Sequence, residues 1–408
     1  MPTVRLKPGH VQPVWAGHPW VYAQAIDAIE QGTTAGDEVS VIDPRGNLLG
    51  RGFFSPGSAI PVRLLVRDAT TQIDAEFFRK RFEAAQALRA SLGLPSGQSE
   101  SGVERGVETG VDSTTGFRLV HAEGDGVPGL VVDRFGDVLA VQFGTIGMKR
   151  REAMLLEALA SSFHARSIVD RTSHQTAKLE GFEPASGVVS GEPVTALELV
   201  ERGLRFRIPL ELGQKTGFYF DQRSLRGRVE QLAAGKRVLD AYAFVGAFAI
   251  AAARGGAREV VAVDESATAI EVGAECAAMN GLGDRIRFVK NDARKELADA
   301  RGGFDLVIAD PPRLAPTRGA RDQALLAYGK LAENACGAVR PGGLVVLCSC
   351  SAAVDLTALT RALATGATRA NLQATVLERW FQGLDHPVPA AFGEGLYLKA
   401  LIARVDPR

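Results

Sequence analysis

From residue 195 onward the chain alternates short runs of Val, Ile and Leu with segments of helical period, and few folds accept that pattern. "KRVLDAY", "REVVAVD", "RIRFVKND", "FDLVIADPP" and "GGLVVLCSCS" read as strands with nearly unbroken apolar content. Between and after them, "GAFAIAAARGG", "ATAIEVGAECAAMNGL", "DQALLAYGKLAENACGAV" and "AVDLTALTRALATG" have helical spacing. Strands buried on both faces and joined by helices imply a parallel sheet covered on each side. The last two strands, "ATVLERWF" and "GLYLKALIARV", have no helix between them, so this Rossmann-like α/β sheet should finish in an antiparallel hairpin edge. A hairpin, "TALELVERGLRFRIPLE", with Gly203 near its turn, should lead into it.

The chain before residue 191 is different. "EVSVIDPRGNLLGRGFFS" reads as strand, turn, strand, with Pro44–Gly46 at the turn, and "AIPVRLLVRD" as a further strand. "AEFFRKRFEAAQALRASL" is a helix with Phe77, Phe78, Phe82, Ala85 and Leu88 on one side. Residues 91–116, rich in Gly, Ser and acidic residues, read as a flexible insertion. Three short strands, a helix "MKRREAMLLEALASSF" and the strand "SIVDRT" follow. The division expected is a β-rich domain over residues 1–72, a central α+β domain over 73–190, and the parallel-sheet domain over 191–408.

Composition constrains function only loosely. The 47 basic and 47 acidic residues balance, so any phosphate-binding face must be local. The sequence starts without the apolar stretch of a secretory signal. Four cysteines without disulfide-like spacing fit a reducing, cytoplasmic setting.

In doubly wound sheets, ligands bind beyond the carboxyl ends of the strands. Those ends carry acids in series here: Asp240, Asp264, Asp292 and Asp310. After Asp240 comes "AYAFVGAF", a tight turn that needs Gly246, where a side chain would block a ligand. A dinucleotide would want two or three glycines, and only Gly246 is present. S-adenosylmethionine needs no phosphate cradle. It needs an acid for the ribose (Asp264), an acceptor for the adenine amino group (Asp292) and polar contacts near Asp240. Acids that merely cap helices would give part of the same series.

"DPPR" narrows the choice. Asp310 ends a buried strand, and Pro311 and Pro312 fix a rigid loop mouth. Such an acid suits hydrogen bonding to the edge of a flipped base, the other use being a strand stop with a capping acid. The next strand ends in Cys348 and Cys350, which share a face if it stays regular. These thiols are core fillers, metal ligands or a nucleophile. C-x-C with no second pair is a poor zinc signature. As a nucleophile, a thiolate adding at carbon 6 of cytosine would make carbon 5 reactive enough to take a methyl group. Cys350, at the strand end, is the better placed, with Asp310 at the pyrimidine edge.

With these residues in view, the chain resembles the RlmI-like bacterial large-subunit ribosomal RNA (cytosine-5) methyltransferases. The resemblance covers nearly the whole length. "GHPWVYA" and "GRGFFSPGS" match the family's N-terminal PUA domain, a small RNA-binding barrel. "LVHAEGDGVPGLVVDRFGD" matches its central domain. "GQKTGFYFDQR", "DPPR", "SCS" and "DHPV…EGLYLKA" match its class I catalytic domain. The resemblance implies S-adenosylmethionine as cofactor without a metal, and 23S ribosomal RNA as substrate. It makes Cys350 the nucleophile and Asp310 the base-contacting acid. It places cofactor contacts at Phe218, Asp221, Asp240, Gly246, Asp264, Asp292 and Asp310. Two departures are Ala247, where the family often has a second glycine, and the long 91–116 segment.

Two rivals stay open: a related guanine N-methyltransferase, which needs no thiol, and an RNA-binding assembly factor with an inactive methyltransferase domain. Lys7, Arg45, Arg51, Arg63, Arg313, Arg318 and Arg321 are candidate phosphate contacts. Trp15 and Trp20 could stack on bases or fill a core. The reading places no membrane segment and leaves room for a homodimer.

Overall fold

The computed structural model describes residues 1–95, 113–212, 216–314 and 321–408. Most of the 91–116 insertion, part of "GQKTGFYFDQR" and Arg318 lie outside the described residues. The chain divides into two compact units. One comprises Met1–Gly203, Ile208–Phe220 and Leu384–Gly395, the other Leu204–Arg207, Asp221–Gly383 and Leu396–Arg408.

The first unit opens with a six-stranded sheet. Its order is Trp20–Val21, Val62–Val66, Leu48–Phe54, Glu38–Ile42, Thr3–Leu6 and Ile26–Ile29. Only Thr3–Leu6 and Glu38–Ile42 pair in parallel. Alternating Val4, Leu6, Val39, Val41, Val62 and Leu64 point into one core. The turn after Ile42 forms where the sequence predicts it. Asp43 accepts the N–H groups of Arg45 and Asn47, each at 2.8 Å, and Gly46 takes φ +90°.

A five-stranded sheet follows, in the order Gly187–Gly191, Ser167–Asp170, Val138–Phe143, Leu130–Phe135 and Gly116–His121. The helices Ala75–Ser91 and Glu152–Phe163 bury Phe78, Phe82, Leu155 and Leu159 in its core. Asp74 caps the first of these by accepting the Phe77 N–H at 2.9 Å. The predicted inner face needs one correction. Leu88 is exposed, and the neighbouring Arg89 is buried instead. Arg89 grips Asp125 through both terminal nitrogens (2.6 and 2.8 Å) and donates to the carbonyls of Arg118 and Asp385. A guanidinium with all its donors engaged can replace a leucine in a core.

The second unit is the expected parallel sheet. Its strands, in chain order, are Arg237–Ala241, Glu259–Asp264, Ile286–Lys290, Phe304–Ala309, Val339–Ser349, Leu372–Phe381 and Lys399–Pro407. In space they run third, second, first, fourth, fifth, seventh, sixth. The first five are parallel. The seventh inserts antiparallel between the fifth and the sixth. The antiparallel edge is thus as read from the sequence. The helices Ala247–Arg254, Ala267–Met279, Arg321–Ala338 and Leu356–Arg369 flank the sheet. The chain runs outward in one direction from the first strand to the third and then crosses back to the fourth, which leaves the switch point between the first and fourth strands. Asp240 and Asp310 stand there.

Candidate active site

Asp240 is the penultimate residue of the first strand and only 1% exposed. Its Oδ2 accepts the Ala249 N–H at 2.9 Å, tying the strand end to the first turn of the next helix. Burial pushes its carboxyl up to about 8, with the negative fields of Asp310 and Asp264 adding to the effect. The turn between strand and helix is strained. Tyr242 and Phe244 both take positive φ (68° and 51°), as does Gly246 at 69°. Asp264 holds this turn. Its Oδ2 accepts the Phe244 N–H at 2.8 Å and its Oδ1 the Ser266 N–H at 2.9 Å.

Gly246 is required for a nearer reason than ligand access. A Cβ there would lie 2.7 Å from the Phe288 ring, in a backbone region that disfavours side chains. Asp292 caps the helix Ala293–Asp299, accepting the Arg294 N–H at 2.8 Å. Hydrogen bonds from the Arg294 guanidinium hold its carboxyl below the usual range. An adenine amino group would therefore meet an acceptor already shared with Arg294.

Asp310 follows the fourth strand, and its Oδ2 accepts from the Gln222 side-chain amide at 3.0 Å. Gln222 is itself buried. The fifth strand ends at Ser349, so the regular alternation stops before Cys350. The two thiols part company at that point. Cys348 is sealed in the core, where burial pushes its thiol well up, whereas Cys350 is half-exposed. Tyr328, from the helix Arg321–Ala338, is fully buried. Its hydroxyl has no hydrogen bond of normal geometry, and it lies within the fields of Cys350, Asp310 and Cys348.

Asp221 opens the long segment Asp221–Gly383 of the second unit, its Oδ2 accepting the Tyr397 hydroxyl at 2.7 Å. Phe218 belongs to the first unit, 3% exposed and packed on Phe220 with ring centroids 5.3 Å apart. The second unit thus brings together Asp240, Gly246, Asp264 and Asp310 around one end of its sheet, with Cys350 on the adjoining strand end. Gln222, Tyr328 and Lys399 were not singled out from sequence. "DQR" and "GLYLK" were informative as strings, but nothing in their spacing tells which member faces the site.

In the first unit, Trp15 is 76% exposed, while Trp20 donates to Glu123 at 2.7 Å and stacks edge-on against Phe392. Arg51 is not a surface phosphate contact. It is buried and bonded to Glu38 and to the carbonyls of Asp68 and Thr71. Among the described residues, no group of three or more His, Cys, Asp or Glu side chains could hold a metal ion, and no helix is long and apolar enough to cross a membrane.

A strained turn under an acid, a second acid holding that turn, and no glycine-rich phosphate cradle fit an adenosyl amino acid better than a dinucleotide. Comparison agrees. Residues 157–383 match the S-adenosylmethionine-dependent methyltransferase family and residues 4–67 a PUA-like domain. A methyltransferase solved in complex with SAH superposes with a TM-score of 0.83 at 18% identity, covering 99% of this chain and 100% of that one. A methyltransferase from Streptococcus mutans gives 0.80 at 18% identity over the same shares. Those two likenesses concern the fold. Ribosomal RNA large subunit methyltransferase I of Shewanella denitrificans is 35% identical over 98% of this chain and 99% of its own length. That of Klebsiella pneumoniae is 33% identical over 99% and 98%. In class, then, the chain is an S-adenosylmethionine-dependent methyltransferase with a PUA-like domain. Within that class, it belongs to the ribosomal RNA large subunit methyltransferase I family.

Proposed function

We propose that this protein methylates carbon 5 of a cytosine in large-subunit ribosomal RNA, using Cys350 as a covalent nucleophile. The observation that carries this reading is the contrast between two thiols on one strand end. Cys348 is sealed and Cys350 is half-exposed, one strand away from the buried-strand acid Asp310. A guanine N-methyltransferase has no use for such a thiol.

The bound cofactor supplies a methyl group on a positively charged sulfur. The Cys350 thiolate forms a bond to carbon 6 of the cytosine as the ring's 5,6 electron pair shifts. Asp310, held by Gln222, gives a proton to the ring nitrogen at the pyrimidine edge and so takes up the charge. Carbon 5, now enamine-like, takes the methyl group. Water takes the carbon 5 proton, the thiolate leaves carbon 6 as the 5,6 double bond re-forms, and the edge proton returns to Asp310, which restores the aromatic ring.

For the cofactor, Asp264 would receive the ribose hydroxyls, the Asp240 turn the amino-acid end, and Asp292 the adenine. Gly246 keeps the turn close. Asp221 and Phe218 complete the set by resemblance. The PUA-like domain would bind the RNA, with Lys7, Arg45, Arg63, Arg313 and Arg321 as phosphate contacts, and ribosomal RNA as substrate places the protein in the cytoplasm. The test is methyl transfer from labelled S-adenosylmethionine to unmodified large-subunit RNA, followed by digestion to nucleosides. Label in 5-methylcytidine supports the proposal; label in a methylguanosine defeats it.

A further inference from the structure

Lys399 opens the seventh strand of the second unit and is 5% exposed. Its ammonium donates to the Ser351 carbonyl and to the Tyr397 carbonyl, each at 2.8 Å. Across the strands, Lys399 pairs in register with Ser349. The residues before and after Cys350 are therefore both fastened to Lys399, one by strand pairing and one by its charged tip.

The ammonium has three donors, and two are spent on neutral carbonyls. No carboxylate stands within ion-pair distance of it among the described residues. A buried charge in that condition is costly unless an anion completes its surroundings. With one anchor at Ser349 and the other at Ser351, the Lys399 ammonium lies beside the segment that carries Cys350. We propose that Lys399 is a positioning residue for the nucleophile, its buried ammonium holding Cys350 as the thiolate in an ion pair.

The electrostatics of the site run in the same direction. Burial pushes the Lys399 ammonium down to about 8, and Cys350 is the largest influence holding it charged. Asp355, at the start of the helix Leu356–Arg369, adds to that hold, and Arg313, in the loop after the fourth strand, opposes it. On the other side, Tyr328 and Cys348 face Cys350 as neutral groups at physiological pH, their own ionisation suppressed by burial, and the Asp310 carboxylate, whose negative field reaches both of them, opposes the lysine's effect. Lys399 is thus a cation whose charge is coupled to this thiol. Thiolates beside a lysine form at lower pH than ordinary thiols. Below that range the methyl-transfer reaction loses its nucleophile.

This inference rests on the proposed role of Cys350, and its test reads the thiol without methyl transfer. Iodoacetamide alkylates thiolates, forming a sulfur–carbon bond and releasing iodide. Its rate at Cys350, followed by peptide mass spectrometry across pH 5–10, gives the midpoint of thiolate formation. Cys276, Cys336 and Cys348 are buried and serve as internal controls. K399M should raise the midpoint by one pH unit or more, slowing alkylation at neutral pH by about tenfold. K399R should restore most of the rate. An unchanged midpoint in K399M would overturn the proposal. Should K399M fail to fold, C350S reads the same coupling from the other end. The Lys399 titration, followed by NMR of its side chain, should then fall to lower pH than in wild type. An unmoved Lys399 titration would equally overturn it. Methyl transfer is measured separately. A 5-methylcytidine product with no midpoint shift sinks the lysine alone, and a midpoint shift with no 5-methylcytidine sinks the nucleophile reading alone.

Discussion

Asp240 is the residue whose replacement should most clearly separate stability from function. Its carboxyl is buried, takes one backbone N–H, and titrates near 8 instead of near 3.8. In the unfolded chain the group loses its proton near pH 4. In the folded chain it keeps that proton until about pH 8. Between those limits the folded state binds more protons than the unfolded state, so stability falls as pH rises. Below the unfolded value the contribution is fully present; above about 8 it is lost. The slope is at most about 1.4 kcal/mol per pH unit, and the total amounts to a few kcal/mol. Asp240→Asn keeps an oxygen acceptor for Ala249 and removes the titration. The variant should therefore become progressively more stable than wild type from pH 4 to pH 8, and level off above. Hydrogen exchange of the amides in Arg237–Ala241, without cofactor, reads the opening of this unit directly. Groups whose titration is common to both proteins, such as Asp292, cancel in the difference. The same variant should bind S-adenosylmethionine more weakly by calorimetry. Two stability curves running parallel from pH 4 to pH 8 would refute the reasoning.

Gly246→Ala should lose about 2–3 kcal/mol in urea unfolding, about 1–2 from positive φ and the rest from displacing the Phe288 ring. A loss below about 0.5 kcal/mol would mean the turn relaxes freely. Arg89→Met leaves Asp125 buried without its partner and should cost about 3–5 kcal/mol in the first unit. Adding Asp125→Leu should recover much of that loss in thermal unfolding.

The parts of the fold that were legible in sequence are those set by local chemistry. Strands such as "VVAV" are apolar on both faces, and that alone marks a parallel sheet. The acids at strand ends were legible because polar residues that interrupt such runs need a reason to be there. Two misassignments have the opposite origin. Leu88 and Arg89 exchange expected places because Asp125, far along the chain, supplies a partner that a helical wheel does not contain. Arg51 is withdrawn from the surface by carbonyls of residues 68 and 71 in the same way. Within the site, Asp240, Asp264 and Asp310 could be placed from their strand positions. Gln222 and Lys399 could not. Gln222 reaches Asp310 from a segment 88 residues earlier. Lys399 meets the Cys350 strand only because the seventh strand inserts beside the fifth, a consequence of topology that no local pattern encodes.

The covalent role of Cys350 is the central claim, and trapping tests it most directly. RNA carrying 5-fluorocytidine cannot lose a proton from carbon 5, so a thiol added at carbon 6 stays bonded after methyl transfer. Incubation with S-adenosylmethionine, digestion and peptide mass spectrometry should find the nucleotide adduct on Cys350 alone, and none in Cys350→Ala. Methylation of cytosine by Cys350→Ala at the wild-type rate, with no adduct on the native protein, would contradict the account.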